Sequence, residues 1–165
     1  MKKIGFTIGK FAPLHKGHQY LIETAIKEMD EVYCIVYDTD ITNIPAEERA
    51  NWIKRLYPNV NTILAFDSPQ KYGLDEESVK IQMEYLSNII KGIDVTHFYS
   101  SEPYGEKVAQ YLDIENRVVD RYRIKFPISS TKIRKNFMEN KKYMEDFVIK
   151  KLYKHRQKGD TYNLT

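Results

Sequence analysis

Two histidines near the N-terminus follow a glycine and a lysine, and these residue types could bind phosphate or a metal ion. His15 and His18 are three residues apart, and Gly9 and Lys10 precede them. At the start of a helix this spacing places both imidazoles on one side, where they could donate to phosphate oxygens together with the free backbone N–H groups. The pair could also hold zinc, although the sequence offers no clear third ligand. Two ordinary surface histidines are the remaining alternative.

The same segment superficially resembles a phosphate-binding P-loop. Gly5, Gly9 and Lys10 provide the glycines and the lysine, but the glycine spacing is one residue short of the P-loop pattern. Phe11 also stands where a P-loop has the Ser or Thr that binds magnesium. The sequence therefore does not predict a P-loop kinase.

A second polar segment, ISSTKIR, occupies residues 128–134. Ser129 is a favoured helix N-cap residue, and Ile128 and Ile133 are spaced for a hydrophobic staple. An ordinary capped helix would explain these features fully. Arg134, however, would lie one turn inside the helix, so that hydroxyl, backbone N–H and guanidinium groups could form a second anion-binding site.

Alternating strand and helix patterns must position both segments. The apolar runs predict strands at residues 4–8, 31–37, 61–66, 95–99 and 117–120. Helical patterns are predicted at 17–29, 45–57, 75–91, 103–112, after Ser129, and at 141–157. This alternation requires parallel strands joined by crossovers. We therefore expect an α/β fold, a Rossmann-like three-layer αβα sandwich with a five-stranded parallel sheet and a C-terminal helical extension.

Length and composition indicate one globular domain. The 165 residues include 42% hydrophobic and 30% charged residues and carry a net charge of +3. We expect a single domain over 1–165, with its core at 1–140, a C-terminal helix at 141–157 and a frayed tail at 158–165. The small net charge and the absence of a long apolar run predict no nucleic-acid or membrane partner and a cytoplasmic location. Cys34, the only cysteine, is predicted to be a buried thiol.

Both polar segments carry a resemblance to a known superfamily. Gly9-Lys10-Phe11-x-Pro13-x-His15-x-Gly17-His18 resembles the H-x-G-H signature of the nucleotidylyltransferases, and residues 128–134 resemble their second signature. Stretches at 45–52, 99–102 and 119–123 are similar to nicotinamide-nucleotide adenylyltransferases, as in the adenylyltransferase domain of bifunctional NAD-regulator proteins. The resemblance implies that the phosphate of nicotinamide mononucleotide attacks the α-phosphorus of ATP in line, giving NAD and pyrophosphate without a protein nucleophile.

The resemblance also implies roles for individual residues. The catalytic residues would be His15, His18, Lys10 and Arg134, with His18 nearest the α-phosphate. ATP would be bound by Gly9, Lys10, Phe11, His15, His18, Ser129, Ser130, Thr131 and Arg134. Arg49 and Arg123 would bind the mononucleotide phosphate, although Arg49 could equally be a charge on an exposed helix surface. Magnesium, Mg²⁺, would be held mainly by phosphates and water, so no protein ligand is assigned.

One departure from the family pattern concerns the second substrate. The regulator-type enzymes supply a tryptophan near the nicotinamide ring from the helix after the third strand, but residues 79–83 read VKIQM and Trp52 is the only tryptophan. Tyr72, Tyr85 or Tyr104 would have to supply an aromatic platform, or the acceptor differs.

Three alternatives to nicotinamide-nucleotide adenylyltransferase remain open. Two are relatives with other acceptors, a pantetheine-phosphate adenylyltransferase or a cytidylyltransferase, and the turn at residues 9–13 favours the nicotinamide branch over both. The third is a non-catalytic nucleotide sensor, against which His15, His18 and Arg134 argue. The expected partners are ATP and a mononucleotide, and the sequence leaves the oligomeric state open, a homo-oligomer included.

Overall fold

The computed structural model describes residues 1–71 and 73–156, which form five strands and six α-helices. The strands are β1 (Ile4–Gly9), β2 (Glu31–Tyr37), β3 (Asn61–Ala65), β4 (His97–Ser100) and β5 (Glu115–Val118). The helices are α1 (Lys16–Glu28), α2 (Ala46–Leu56), α3 (Glu76–Ile89), α4 (Gly105–Leu112), α5 (Ser130–Lys135) and α6 (Asp146–Arg156), and a 3-10 helix spans Met138–Tyr143. This order confirms the predicted alternation of strands and helices.

The five strands form one parallel sheet in the order β3-β2-β1-β4-β5. The chain builds outward from β1 through β2 and β3, then crosses to β4 on the other side of β1. In such a sheet a crevice opens at the carboxyl ends of the two strands where the order reverses. The fold therefore directs a ligand to the ends of β1 and β4.

Helices cover both faces of the sheet, as predicted for a three-layer sandwich. Both faces need this cover because both are apolar. In strand β2, for example, successive side chains alternate between two apolar clusters. Val32, Cys34 and Val36 face one cluster, and Tyr33, Ile35 and Tyr37 face the other. The first cluster is completed by α1, α2, α5 and α6, and the second by α3 and α4. Cys34 is fully buried, which confirms that prediction.

The fifth strand lies two residues earlier than predicted. Strand β4 ends at Ser100, whose partner in the ladder is Val118, so the pairing stops there. Asp120 then adopts the left-handed conformation with φ of 50°, which is incompatible with an extended strand. The predicted strand at 117–120 therefore includes the beginning of a loop.

The C-terminal helical extension is present, but it starts later than predicted. Residues before it form the 3-10 helix, and Met144 is then extended, with φ of −127° and ψ of 151°. Because the Met144 side chain is buried in the core, the backbone leaves the helical path at this point and α6 begins at Asp146. Residue 157 and the predicted frayed tail at 158–165 lie outside the described residues.

The extension packs against the helix that carries the two histidines. Val148 and Leu152 of α6 are buried in the same cluster as Ile22 of α1. An ion pair also joins Lys16, in the first turn of α1, to Glu145 just before α6.

In the part of the chain that the structure describes, none of the helices combines the length and the apolar character needed to cross a membrane.

Candidate active site

A cavity of about 290 Å³ opens at the carboxyl ends of β1, β4 and β5, where the fold predicts a ligand. We call it the first cavity. It brings together most of the predicted site residues: Gly9, Phe11, His15, His18, Arg123, Ser129, Ser130 and Thr131. Lys10 and Arg134 are not among the described residues that line it. The two sequence segments, more than a hundred positions apart, therefore form one site.

The two histidines use the same ring nitrogen to fix the start of α1. Nδ1 of His15 accepts hydrogen bonds from the backbone N–H of Gly17 at 3.0 Å and of His18 at 3.4 Å. In return, the backbone N–H of His15 donates to Nδ1 of His18 at 3.2 Å. The rings stack, with centroids 3.7 Å apart and planes inclined by 21°. Because both Nδ1 atoms accept, each neutral ring carries its proton on Nε2.

Both imidazoles are electrically neutral at physiological pH. Burial lowers the pKa of His15 to about 3, and the positive charge of Arg123 acts in the same direction. Burial also lowers the pKa of His18 well below its usual value, with further contributions from His15 and Arg123. The histidines are therefore neutral Nε2–H donors at the cavity wall rather than cations.

A glycine and a strained phenylalanine hold the rings in place. A Cβ atom at Gly17 would lie 2.8 Å from Cε1 of His15, so the ring occupies space that only glycine leaves open. Phe11 adopts φ of 50°, a left-handed conformation that costs energy in a residue with a side chain. Its ring meets His18 edge-on, with centroids 4.8 Å apart. His18 is thus held between His15 and Phe11.

Helix α5 is docked onto the loop that precedes α1. Ser129 caps α5 by accepting from the backbone N–H of Lys132 at 3.1 Å, which confirms the predicted cap. Oγ of Ser130 donates to the carbonyl of Pro13 at 3.1 Å. The Arg134 guanidinium donates to the carbonyl of Ala12 at 2.7 Å and to Oγ1 of Thr131 at 3.3 Å. These contacts hold the Ser130 and Thr131 hydroxyls against the histidine loop, with Arg134 behind them.

The loop after β5 supplies Arg123, a cation that lines the first cavity. The Asp120 carboxylate accepts from the backbone N–H groups of residues 124, 125 and 126, which closes the loop on itself. Burial opposes ionisation of Asp120, but these hydrogen bonds outweigh it and lower its pKa. Arg123 donates to the carbonyl of Ile128 at 2.8 Å and pairs with Glu102. Its guanidinium is therefore held in place at the cavity wall.

Arg49 is not among the described residues that line the first cavity, and its surroundings differ from one of the two predictions made for it. Its side chain is 1% exposed, so it is not a charge on an exposed helix surface. Nε donates to the carbonyl of Ile44 at 3.0 Å, and Nη1 donates to the carbonyls of Tyr37, at 2.9 Å, and Lys10. The role of Arg49 in binding the mononucleotide phosphate stays a prediction. In the structure, this residue ties α2 to the ends of β1 and β2.

A second cavity, of about 420 Å³, lies between α3 and α4 on the opposite face of the sheet. It shares Ile8, Gly9 and Tyr104 with the first cavity, so the two meet at the end of β1. Lys10 lines this second cavity. Its walls are otherwise mainly apolar and aromatic, with Tyr37 at the end of β2. The site therefore offers two adjoining compartments of different chemistry.

The aromatic residues that were predicted to contact the nicotinamide ring differ in their position relative to the two cavities. Tyr104 lines both cavities. Tyr85 donates its hydroxyl to the carbonyl of Phe66, and its ring packs edge-on against Tyr37 at 5.8 Å. Trp52 is buried in the core, and Tyr72 lies outside the described residues. Tyr104 is thus the candidate that could contact a ligand in either compartment.

Sequence reasoning missed several lining residues of the second cavity. Tyr37 could have been found, because it ends a predicted strand and ligands bind at strand ends. Lys107, on α4, gives no such signal, since exposed lysines are common on helices.

Among residues 1–71 and 73–156, no group of three or more His, Cys, Asp or Glu side chains is arranged to hold a metal ion.

Comparisons with known proteins agree with this architecture. Residues 6–136 match the family model described as Cytidylyltransferase-like. The chain is 30% identical over 154 residues to the trifunctional NAD biosynthesis/regulator protein NadR of Salmonella typhimurium, covering 82% of this chain but 37% of that protein. A crystal structure of NadR in complex with NAD and AMP-PNP superposes with a TM-score of 0.63 at 24% identity, covering 87% of this chain and 44% of that one.

A shorter sequence match is to an adenylyltransferase that is named for a different substrate. The chain is 35% identical over 63 residues to the phosphopantetheine adenylyltransferase of Fusobacterium nucleatum, covering 37% of this chain and 39% of that protein. The match to NadR thus spans well under half of that protein's length.

Proposed function

The chain belongs to the cytidylyltransferase-like family, and from this premise we propose that it transfers the adenylyl group of ATP to nicotinamide mononucleotide, forming NAD and pyrophosphate. The observation that carries the proposal is the meeting of two cavities at Gly9. One cavity is lined by hydrogen-bond donors, hydroxyls, a guanidinium and the carboxylates of Glu102 and Asp120, and the other is mainly apolar and contains Lys10. Two different nucleotides could lie in them with their reacting phosphates at the shared border.

The comparisons support this choice of reaction and substrates. The trifunctional relative takes part in NAD biosynthesis by its name, and the match to it covers most of this chain. The superposed NadR structure contains NAD together with an ATP analogue, and it shares the fold. A dinucleotide and a nucleoside triphosphate are the molecules expected on either side of an adenylyl transfer.

The first cavity is proposed to hold the triphosphate of ATP. The Nε2–H groups of His15 and His18 would donate to phosphate oxygens, and Arg123 would add a positive charge. The hydroxyls of Ser130 and Thr131 line the same cavity, held by the contacts of α5. Arg134 would contribute from behind these hydroxyls. Protein contacts hold these donors before the ligand arrives, and preorganised donors are what stabilisation of a transition state requires.

The reaction needs alignment more than acid–base chemistry. An oxygen of the mononucleotide phosphate forms a bond to the α-phosphorus, while the bond from that phosphorus to the bridging oxygen breaks and its electron pair leaves with pyrophosphate. No proton must move, because the attacking phosphate is already ionised near neutral pH. Neutral histidines suit this step, since they donate hydrogen bonds to the α-phosphate without giving up a proton.

Magnesium is expected to reach the site on the triphosphate. The described part of the chain has no group of three or more His, Cys, Asp or Glu side chains arranged to hold a metal ion, and Mg²⁺ is commonly bound through substrate phosphates and water. When bound, the ion would neutralise the charge on the leaving pyrophosphate.

The proposal is tested by incubating the purified protein with ATP, Mg²⁺ and nicotinamide mononucleotide and measuring NAD and pyrophosphate. Formation of both in equal amounts supports the proposal. Binding of ATP without NAD formation would reject this acceptor, and binding without product from any tested acceptor, pantetheine phosphate included, would identify a nucleotide sensor.

The short match to a phosphopantetheine adenylyltransferase supports a second candidate acceptor. The same assay should therefore include pantetheine phosphate, and CTP in place of ATP. Faster turnover with pantetheine phosphate than with the mononucleotide would keep the adenylyl transfer but replace the acceptor. Faster turnover with CTP would make the protein a cytidylyltransferase.

A further inference from the structure

The first turn of α1 contains no acidic side chain, although the two histidines of the candidate site fix this helix start. A helix begins with a positive partial charge, and acidic side chains near this end commonly stabilise it. The cap of α1 is instead the neutral imidazole of His15, which supplies no negative charge. An acid in this turn would repel a phosphate in the first cavity, so a stabilising charge has to come from another element of the protein.

Lys16, the first residue of α1, adds a positive charge at the same end. It precedes the two backbone N–H groups, of Gly17 and His18, that donate to Nδ1 of His15. A cation at the start of a helix is unfavourable unless an anion lies close to it. A phosphate in the first cavity or a carboxylate of the protein could be that anion.

A carboxylate next to the C-terminal helix is the anion that Lys16 meets. Nζ of Lys16 pairs with Oε1 of Glu145, and the two side chains are 33% and 30% exposed, so water screens the pair only in part. Neither residue is among the described residues that line the first cavity. The pair therefore lies outside the space proposed for the triphosphate.

The packing of α6 fixes the position of Glu145. Its carbonyl accepts from the backbone N–H groups of Val148 at 3.0 Å and Ile149 at 3.1 Å, which joins it to the first turn of the helix. Met144 before it and Val148 after it are buried in the same cluster as Ile22 of α1. The protein itself therefore brings this carboxylate to the start of α1, before any ligand binds.

We propose that Glu145 is a positioning residue for ATP binding, and that through its ion pair with Lys16 it holds the first turn of α1 in the binding-competent conformation before the phosphates arrive. That turn orients the Nε2–H donors of His15 and His18. The inference rests on the proposed function, and it adds to the site a residue that touches no substrate. It also assigns the ammonium group of Lys16 to the helix start rather than to a phosphate of ATP.

This role predicts a specific kinetic effect. A protein whose competent conformation is only partly populated binds its ligand more weakly, in proportion to that fraction. We therefore expect Glu145→Gln to raise the KM for ATP about threefold, within the range of partly exposed ion pairs, with a smaller change in kcat. Removal of a negative charge near a site for a polyanion would by itself lower the KM. A purely structural role would change the free energy of unfolding but not the KM of the folded protein.

The test measures the Kd for ATP with Mg²⁺ by calorimetry, without acceptor, in the unmodified protein, in Glu145→Gln, in Lys16→Met and in the double variant. The Kd should rise about threefold in Glu145→Gln. The same substitution should have no further effect in the Lys16→Met background, because its partner is then absent. Glu139→Gln is the matched control, since Glu139 is exposed in the 3-10 helix and forms no ion pair within residues 1–71 and 73–156, and it should leave the Kd unchanged.

Binding separates this inference from the proposed function. If ATP binds but no NAD forms, the proposed function fails and the Kd values still decide the inference. An equal Kd in Glu145→Gln would overturn it, and a lower one would also assign Lys16 to the phosphates. A rise of the same size in the Lys16→Met background would show that Glu145 acts without Lys16, which overturns the inference as well. Failure of the unmodified protein to bind ATP would overturn both.

Discussion

At the scale of single residues, the candidate site depends on which ring nitrogen of each histidine accepts a hydrogen bond and which one carries the proton. The spacing of His15 and His18 predicted that the rings would share one side of a helix start, and the structure confirms it. The sequence could not show that each Nδ1 accepts from a backbone N–H group of the same turn. That arrangement depends on the buried loop conformation, and it turns two potential bases into neutral donors.

His18→Ala tests the role of the donor. We expect kcat to fall by a factor of about 100 or more, as for removal of one donor to a developing charge, with a smaller change in the KM for ATP. Steady-state kinetics with ATP and the mononucleotide measure the effect. His97→Ala is the control, because His97 lies at the amino end of β4, away from both cavities. Unchanged kcat in His18→Ala would contradict the proposed mechanism.

The buried, neutral state of His15 predicts a pH dependence of stability. Its pKa in the folded protein is about 3, below the value of about 6.5 expected in the unfolded chain. Between these values the unfolded state binds more protons, so stability is complete above pH 6.5 and is lost as the pH falls. The loss attributable to His15 is at most about 1.4 kcal/mol per pH unit.

Denaturant unfolding at pH 7 and pH 5 measures this dependence. His15→Gln keeps a polar side chain that does not titrate, so its stability should change less between the two pH values than that of the unmodified protein. Equal changes in the two proteins would show that His15 becomes protonated as readily in the folded state as in the unfolded chain.

At the scale of elements, local signals in the sequence were sufficient for most of the secondary structure. Apolar alternation identified the strands, and Ser129 with its isoleucine staple identified the start of α5. The burial of Arg49 could not be predicted from such local signals. Arginine in a predicted helix next to acidic residues is typical of an exposed surface, and only the packing of α2 onto the sheet buries it. Its role depends on tertiary structure, which the local pattern does not contain.

Arg49→Met tests that structural role. Removing the guanidinium leaves buried carbonyls without a donor, and we expect the free energy of unfolding to fall by about 3 kcal/mol. Chemical denaturation measures the change, and Lys54→Met, on an exposed position of the same helix, should lie within about 0.5 kcal/mol of the unmodified protein. A raised KM for the mononucleotide without loss of stability would instead support the predicted phosphate-binding role of Arg49.

At the scale of the whole molecule, the strand order explains why the site has two compartments. The rule that ligands bind at the carboxyl ends of parallel strands predicted the first cavity from the position of residues 9–18. The second cavity could not be predicted, because its walls come from α3, α4 and the loop before α3, whose residues share no motif. Only the packing of these elements over the end of β1 brings them together.

The expected source of magnesium gives a prediction for the whole protein. Chelation of divalent ions by EDTA should abolish product formation, because the ion is proposed to arrive with the triphosphate. The thermal midpoint of the protein without nucleotide should not change, since the described residues contain no metal-binding cluster that could stabilise the fold. A clear decrease in the midpoint on chelation would show that the chain itself binds a structural metal.

The shared border at Gly9 also affects how the product leaves the protein. A single molecule that reaches from one cavity into the other gives up its translational freedom once while keeping two sets of contacts. The dinucleotide product of the proposed reaction has this form, whereas each substrate is proposed to fill only one cavity. Its escape requires both halves to detach together, so we expect a long residence time for the product and a turnover rate governed by release.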